Sequence, residues 1–152
     1  MSAESKIDEL DIKILDILLH NSKLSYRKIS RQLGVSVATV MNRINRMKKE
    51  KIIHGYTADL DYEKLGYDIK VIVDVRVAKG RLLEVESKIA QHPNVSAVFD
   101  ITGQFDTVVI ANFKSRKEMD RFIKKIQSYE FVERTETKLV LNTVKEGHVI
   151  PG

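Results

Sequence analysis

The 152-residue sequence predicts an α+β fold with two parts: an N-terminal three-helix, helix-turn-helix (winged-helix-like) domain and a C-terminal ferredoxin-like domain. Two observations predict this class. In the first third of the chain, apolar residues recur at steps of three and four, which is the spacing of one helix face. In the remainder, alternating apolar segments and helical segments follow the order β-α-β-β-α-β, which favours a sheet with both helices on one side.

The change of pattern also divides the chain. Residues 1–54 form the predicted helix-turn-helix domain, and residues 68–152 form the predicted ferredoxin-like domain. Residues 55–67 lose helical periodicity and carry two glycines, which is typical of a connector. We expect a short strand around Tyr56–Leu60 and close packing, because the segment has too many large apolar side chains for a free linker.

Three helices are predicted in the first domain, after a loose start at Met1–Lys6. The first runs over Ile7–His20, where apolar residues are spaced three, four and three apart. The second covers Ser25–Leu33 and the third covers Ser36–Lys51, with a Gly-containing turn between them. The core of this domain is predicted to contain Ile29, Leu33, Val35, Val40 and Ile44.

The second domain is predicted to hold four strands and two helices. In chain order these are 69–77 (strand), 81–91 (helix), 95–101 (strand), 107–113 (strand), a helix opened by a capping box at Ser115–Glu118, and a last strand at about 131–141. In the second strand, alternation places Val95, Ala97, Phe99 and Ile101 on one side.

One face of this sheet is predicted to lack cover. Ile72 and Val98 are expected there, beside Lys70, Asp74 and Arg76, and two helices cannot cover both faces of a sheet. A second copy of the same sheet is the natural cover for the apolar area. The sequence therefore predicts a homodimer formed through the second domain.

Composition argues against several classes of protein. The chain has no cysteine, which excludes disulfides, thiolate zinc sites and cysteine nucleophiles. Its four histidines are scattered without metal-ligand spacing, and no phosphate loop or nucleophile motif occurs. Apolar runs reach only about four residues, against roughly 20 for a bilayer span. We expect a cytoplasmic protein with no membrane partner, no metal, no cofactor and no enzymatic activity.

Charge points to nucleic acid as the partner. Residues 1–54 carry 11 basic and 6 acidic residues, whereas residues 55–152 carry 15 of each, so the excess of +5 lies in the first third. On the third helix, Ala38, Asn42, Asn45 and Lys49 share the outer face, with Thr39, Arg43 and Arg46 alongside. Such side chains can reach base edges and phosphates, so we expect double-stranded DNA to bind here.

The chain resembles the Lrp/AsnC, or feast/famine, family of transcriptional regulators. The resemblance rests on residues 8–18 (DELDIKILDIL), 25–47 (SYRKISRQLGVSVATVMNRINRM), 52–66 (IIHGYTADLDYEKLG) and 102–106 (TGQFD). It implies a DNA-binding domain followed by a ferredoxin-like effector domain that dimerises and often assembles into octamers. It also implies an amino acid or related small metabolite as the effector, bound between effector domains.

The resemblance further implies individual site residues. Base-edge and nearby backbone contacts would come from Ser36, Ala38, Thr39, Asn42, Arg43 and Arg46, and phosphate contacts from Ser25, Tyr26 and Arg27. Lys49 joins this set from its place on the outer helix face. The effector would bind at the loop formed by Thr102, Gly103, Gln104, Phe105 and Asp106.

Two alternatives stay open from the residues themselves. The loop at 102–106 is also explained by an ordinary hairpin turn with glycine at a positive φ, and the residues alone favour that interpretation. The whole chain is also compatible with an architectural DNA-binding protein that has no effector, because such a protein needs the same basic domain and the same assembling domain.

Overall fold

The computed structural model describes residues 6–152, so most of the predicted loose start at Met1–Lys6 lies outside the described residues. The chain forms two compact units, Met1–Asp59 together with Lys145–Gly152, and Leu60–Val144. The sequence-based division placed 145–152 in the second domain, whereas the structure groups this tail with the first unit. Within the described residues, no helix is both long enough and apolar enough to cross a membrane.

The first unit contains the three predicted helices, α1 (Glu9–His20), α2 (Tyr26–Leu33) and α3 (Val37–Lys49). Each begins after a residue whose side chain accepts a hydrogen bond from the first helical turn, and these N-caps are Asp8, Ser25 and Ser36. The N-cap has extended backbone angles and therefore lies outside the helix. For this reason the observed helices start one or two residues later than predicted.

The core of the first unit consists of Ile14, Ile29, Val40, Ile44 and Met47, all fully buried. Burial of each such side chain contributes about 1.5–3 kcal/mol. The predicted core residues Leu33 and Val35 are half-buried and pack against this cluster. The turn between α2 and α3 begins at Gly34, whose φ of 67° is readily adopted by glycine.

The connector differs from the prediction. Residues 56–60 form no strand, so the predicted short strand is wrong. A strand needs a neighbour to accept and donate its backbone hydrogen bonds, and the only described sheet pairs β-strands further along the chain. A turn follows, in which the Tyr67 amide donates to the Tyr62 carbonyl at 2.8 Å and Gly66 has φ 88°.

The second unit is a four-stranded antiparallel sheet with two helices. Its elements are β1 (Ile69–Val77), α4 (Leu82–Ala90), β2 (Val95–Asp100), β3 (Thr107–Phe113), α5 (Arg116–Gln127) and β4 (Val132–Leu139). The strand order is β2-β3-β1-β4, which confirms the ferredoxin-like prediction. The predicted capping box forms only in part: Ser115 Oγ accepts from the Glu118 amide at 3.2 Å, but the Glu118 carboxylate accepts from the Lys114 amide at 3.2 Å instead of the Ser115 amide.

Both helices cover the same face of this sheet. Side chains of alternate residues in β1 and β3, such as Val73 and Val109, are fully buried against Val85 of α4 and against Phe122 and Ile126 of α5. The other side of the sheet, here called the open face, carries the intervening residues of all four strands. No helix of the second unit packs on it.

A bulge in β2 overturns one predicted orientation. The pairing of β2 with β3 shifts register between Val95 and Ala97, so Val98 lies opposite the buried Val109 and packs against the core. Phe99, predicted to share a side with Val95, is instead 54% exposed on the open face. One extra residue in a strand reverses the sides of every residue after it, and strict alternation therefore assigned Val98 to the wrong face.

Substitution of Val98 tests this inward orientation. Val98→Thr keeps the shape of the side chain but puts a hydroxyl against the apolar core, so we expect the free energy of unfolding to fall by about 1–3 kcal/mol. Val144→Thr is the control, because Val144 is 93% exposed and should change stability by less than about 0.5 kcal/mol. Urea unfolding of both variants measures the difference, and equal stabilities would contradict the bulge.

Candidate nucleic-acid interface and ligand loop

The helix pair α2–α3 is fixed by its serine caps. Ser25 Oγ accepts from the Lys28 amide at 3.2 Å, and Ser36 Oγ accepts from the Thr39 amide at 3.0 Å. The hydroxyls of Ser36 and Thr39 lie 2.8 Å apart and share a further hydrogen bond. These three candidate DNA contacts therefore also define where the two helices begin, and all three stand at helix N-termini, where backbone amides favour anions.

The outer face of α3 consists of Ala38, Asn42, Asn45 and Lys49, as the helical spacing predicted, and all four residues are exposed. The two asparagines lie about one turn apart and carry amide groups that both donate and accept. Asn45 was placed on this face by its spacing but was not among the predicted contact residues. Met41 is also exposed on α3, and helical spacing alone was the signal that could have identified both.

Arg43 and Arg46 have partners inside the first unit. The Arg43 guanidinium forms an ion pair with Asp8 and lies 3.3 Å from Asp11 Oδ1, while the Arg46 guanidinium forms an ion pair with Asp11 Oδ2. Asp11 is completely buried, and the two arginine side chains are 30% and 32% exposed. We call these four residues the α1–α3 ion-pair cluster.

The cluster begins with the cap of α1. Asp8 Oδ1 accepts from the Asp11 amide at 3.0 Å, and Asp11 Oδ2 accepts from the Asp8 amide at 3.1 Å, which is a reciprocal capping box. The remaining carboxylate lone pairs face the arginines of α3. A buried carboxylate is costly unless it is paired and hydrogen-bonded, so the arginines that balance Asp11 have a structural role.

This geometry bears on the predicted base contacts. The assignment of Arg43 and Arg46 to DNA stays a prediction, but either arginine would have to exchange a carboxylate for a DNA group to fulfil it. Arg27 is exposed, whereas Tyr26 is half-buried and packs against the core of the unit. Lys48 is turned towards the Tyr56 ring, with its ammonium 5.2 Å from the ring centroid.

The α1–α3 ion-pair cluster lowers the pKa of Asp8, the more exposed of its two carboxylates. The hydrogen bond from Arg43 lowers the pKa of Asp8 to about 2, against an ordinary value of 3.8, and the Asp11 amide adds to the effect. The same hydrogen bond raises the pKa of Arg43. Asp8 is thus ionised at any pH near neutrality.

The predicted ligand loop, residues 102–106, joins β2 to β3. Gly103 has φ 115°, a conformation that L side chains rarely adopt. Thr102, Gly103 and Gln104 are exposed, and Phe105 is half-buried, with the Arg134 guanidinium 5.5 Å from its ring centroid. The structure therefore brings the five loop residues together beside β4.

Asp106 has a backbone partner in the neighbouring strand. Its Oδ2 accepts from the Val77 amide at 2.8 Å, and its own amide donates to the Val75 carbonyl at 3.0 Å. The pairing of β1 with β3 ends at Val75 and Thr107, so the Val77 amide lies beyond that ladder. The Asp106 carboxylate supplies the acceptor for this amide and still has lone pairs for a second donor.

A second acidic group lies next to the loop. Burial raises the pKa of Glu86, and its hydrogen bond with the Asp100 carboxyl raises it further, while the Thr107 side chain acts in the opposite direction. Thr107 is fully buried and donates to the Phe99 carbonyl at 2.8 Å. Among residues 6–152, no group of three or more His, Cys, Asp or Glu side chains could hold a metal ion.

Two family models match the chain and together cover most of it. The AsnC-type helix-turn-helix domain matches residues 7–48, and the Lrp/AsnC ligand-binding domain matches residues 70–150. The first match contains the α1–α3 ion-pair cluster and the outer face of α3 except for Lys49. The second contains the loop at 102–106.

Known proteins resemble the chain over nearly its full length. An HTH-type transcriptional regulator of Pyrococcus furiosus is 43% identical over 141 residues, covering 93% of this chain and 95% of that protein. The structure of E. coli AsnC superposes with a TM-score of 0.91 at 27% identity, covering 96% and 99%. A Neisseria meningitidis regulator solved in complex with L-Met has a TM-score of 0.89 at 23% identity, covering 96% and 97%.

Acid titration tests the outer ion pair. Because the pKa of Asp8 is lower in the folded chain than its ordinary value of 3.8, its stabilising contribution is complete above about pH 4 and is lost as the pH falls towards 2. Asp8→Asn keeps a capping side chain but removes the charge. Between pH 4 and 2 we expect unfolding free energy to fall less steeply in Asp8→Asn than in the unmodified chain, as measured by urea unfolding at each pH.

Substitutions of Arg46 and Lys49 distinguish a structural role on α3 from a role in binding DNA. Arg46→Ala leaves the buried Asp11 with one arginine fewer, so we expect the free energy of unfolding to fall by about 2–3 kcal/mol. Lys49→Ala should leave stability within about 0.5 kcal/mol while lowering the salt dependence of DNA binding by roughly one unit of slope. Thermal unfolding and DNA titration at several salt concentrations measure both effects. A stable Arg46→Ala variant would contradict the framework role.

Proposed function

The chain belongs to the Lrp/AsnC family of transcriptional regulators, and we propose that it recognises specific DNA sequences as a homodimer or larger homo-oligomer and responds to an amino acid or related metabolite. The family membership makes it a regulator with a DNA-binding helix-turn-helix and a ligand-binding domain, and not an enzyme. The observation that carries the specific part of the proposal is the exposed amide pair Asn42 and Asn45 on the outer face of α3. Because the protein must reach DNA, we also propose that it acts in the cytoplasm.

Base reading is assigned to the outer face of α3. Asn42 and Asn45 can each bind adenine through N6 and N7, and Lys49 can reach a phosphate. Phosphate contacts are assigned to Ser25, Tyr26 and Arg27 at the start of α2, and base-edge and nearby backbone contacts also to Ser36, Ala38 and Thr39 at the start of α3. In a two-fold dimer, two such helices favour a pseudo-palindromic site with half-sites about one helical turn apart, or a multiple of it.

For Arg43 and Arg46 we propose a positioning role, with DNA contact as the alternative open to test. Their ion pairs with Asp8 and Asp11 tie α3 to the first turn of α1 and so orient the outer face. A phosphate arriving at Arg43 would compete with Asp8, which is the more exposed of the two carboxylates. The ion pair of Arg46 would be harder to break, because it would leave the buried Asp11 carboxylate without this partner.

The open face of the sheet supports self-association. Its β2–β3 half is apolar and includes Ala97, Phe99, Val108, Ile110 and, from β1, Ile72. The β1–β4 half is charged, with an ion pair between Lys138 and Asp74 and a 3.7 Å contact between Arg76 and Glu133. A second copy of this face would bury Phe99, which a monomer leaves largely in water.

An amino acid fits the chemistry of the loop at 102–106. The backbone at Gly103 can approach a carboxylate closely, and the Asp106 carboxylate can accept from an ammonium group while keeping its bond to the Val77 amide. The L-Met complex of the N. meningitidis regulator supports this ligand class. The alternative is an effector-independent architectural protein, favoured by the fact that the Asp106 contacts are also explained by the fold alone.

Substitution of the asparagines tests sequence reading. We expect Asn42→Ala and Asn45→Ala each to weaken binding to the preferred site by about 1–3 kcal/mol and to relax the preference at one base pair. Binding to random DNA should change little, because phosphate contacts remain. Selection of bound sequences followed by titration measures both effects. Equal losses on specific and random DNA would assign the asparagines to the DNA backbone.

A panel of amino acids tests the effector. An amino acid present at about 100 times its dissociation constant should stabilise the chain by roughly 2.7 kcal/mol, which is measured as a raised Tm. Asp106→Asn keeps an oxygen for the Val77 amide but removes the charge, so we expect it to fold and to lose that shift. Light scattering on the same samples reports the oligomer. A monomer would contradict the proposed assembly, and no shift with any amino acid would favour the architectural alternative.

A further inference from the structure

The outer side of α5 is strongly basic. Residues 114–125 carry six basic and two acidic residues, whereas the rest of the unit Leu60–Val144 carries eight basic and eleven acidic residues. All six cations are exposed. We call them the α5 basic face: Lys114, Arg116, Lys117, Arg121, Lys124 and Lys125.

Helix stability accounts for only some of these charges. In the described chain, none of the five cations on α5 forms an ion pair, although Glu118 and Asp120 lie on the same helix. Lys117 and Arg121 are four residues apart, as are Arg121 and Lys125, and like charges at this spacing repel. Arg116 and Lys117 also lie in the first turn, where the helix dipole disfavours cations. Lys124 and Lys125 lie in the last turn, where the dipole favours cations, so Arg116, Lys117 and Arg121 are the cations that helix stability does not explain.

The positive potential extends to a neighbouring cleft of about 400 Å³ lined by Lys88, Gln91, His92, Pro93, Lys125 and Tyr129. Burial lowers the pKa of His92, and the nearby charge of Lys125 lowers it further. A neutral imidazole leaves the lysines as the cations of this cleft. The Lys88 ammonium lies 5.7 Å from the Tyr129 ring centroid and 3.6 Å from Glu84, so it is less available than the cations of α5.

The chemistry of the α5 basic face fits a polyanion without an apolar surface. The apolar side chains of α5 are Met119, Phe122, Ile123 and Ile126, and all four pack against the core. None is left to enter a lipid layer, which peripheral membrane helices require. Lys117, Arg121 and Lys124 instead present about one cation per helical turn, a spacing suited to a chain of phosphates.

We propose that the α5 basic face is a second, sequence-independent contact surface for the phosphate backbone of DNA. It binds DNA flanking the site that the helix-turn-helix reads. This rests on the proposed function, because the chain must first bind DNA through α3. No base is read here, so the surface adds affinity and salt dependence on long DNA and adds no sequence preference.

The test compares two triple variants of the full chain. Lys117→Gln, Arg121→Gln and Lys124→Gln together remove three cations from the α5 basic face. Lys64→Gln, Lys79→Gln and Lys145→Gln remove three exposed cations elsewhere and change the net charge equally. Binding to a duplex just long enough for the α3 contacts and to a much longer random duplex is titrated over a range of salt concentrations.

On the long duplex, we expect the α5 variant to lower the slope of log K against log salt by up to about 2.7, which is about 0.9 for each phosphate that the variant no longer neutralises. The control variant should match the unmodified chain, and on the short duplex all three should agree. An unchanged slope for the α5 variant, or an equal decrease in the control, overturns the inference. If the unmodified chain binds neither duplex, the proposed function itself fails.

Lysine acetylation of the unmodified chain also tests whether the α5 basic face contacts DNA, and it needs no variant. Acetylation of lysines is compared in the free protein and in the complex with long DNA. We expect Lys117 and Lys124 to be protected by DNA, and Lys64 and Lys79 to react equally in both states. Equal reactivity of Lys117 and Lys124 in both states overturns the inference.

Discussion

The buried carboxylate of Asp11 is the constraint on which the first unit depends. It lies at the start of α1, it completes the capping box with Asp8, and it accepts ion pairs from Arg43 and Arg46 of α3. An ionised group this deeply buried must be balanced by cations, so the angle between α1 and α3 is fixed by charge as well as by the apolar core. The outer face of α3 owes its orientation to this arrangement, because the two arginines lie alongside it and the buried Val40 and Met47 lie opposite it on the helix.

In the second unit, the two faces of the sheet have different surroundings. One face of the sheet is covered by α4 and α5, and the open face divides into an apolar half and a charged half. The bulge in β2 contributes to this division because it turns Phe99 outward. Beyond the end of the β1–β3 ladder, the Asp106 carboxylate accepts from the Val77 amide. The loop proposed to hold an effector is therefore joined by hydrogen bonds to the central strand β1, so a ligand at Asp106 would act directly on the sheet.

Most of the fold could be predicted from the sequence, because helix and strand periods and serine caps, including that of Ser115, are local signals. The misassigned features depend on partners distant in the chain. Val98 was placed on the wrong face because alternation does not reveal a bulge. The ion pair of Arg43 with Asp8 joins residues 35 positions apart, and no pattern within α3 indicates it. Because these ion pairs are not visible in the sequence of α3, Arg43 and Arg46 were predicted as contact residues and the exposed Asn45 was not.

The division of α3 into a framework side and an outer side has an evolutionary consequence. Asp8, Asp11, Arg43 and Arg46 satisfy one another's charges, whereas Asn42, Asn45 and Lys49 make no contribution to the core. If Asn42 and Asn45 read bases as proposed, substitutions at these two positions can change the preferred operator without a loss of stability that would remove the protein from the cell. A gene duplicate with this architecture could acquire a new set of target promoters through very few mutations, while the mutually balanced charges keep the helix in place.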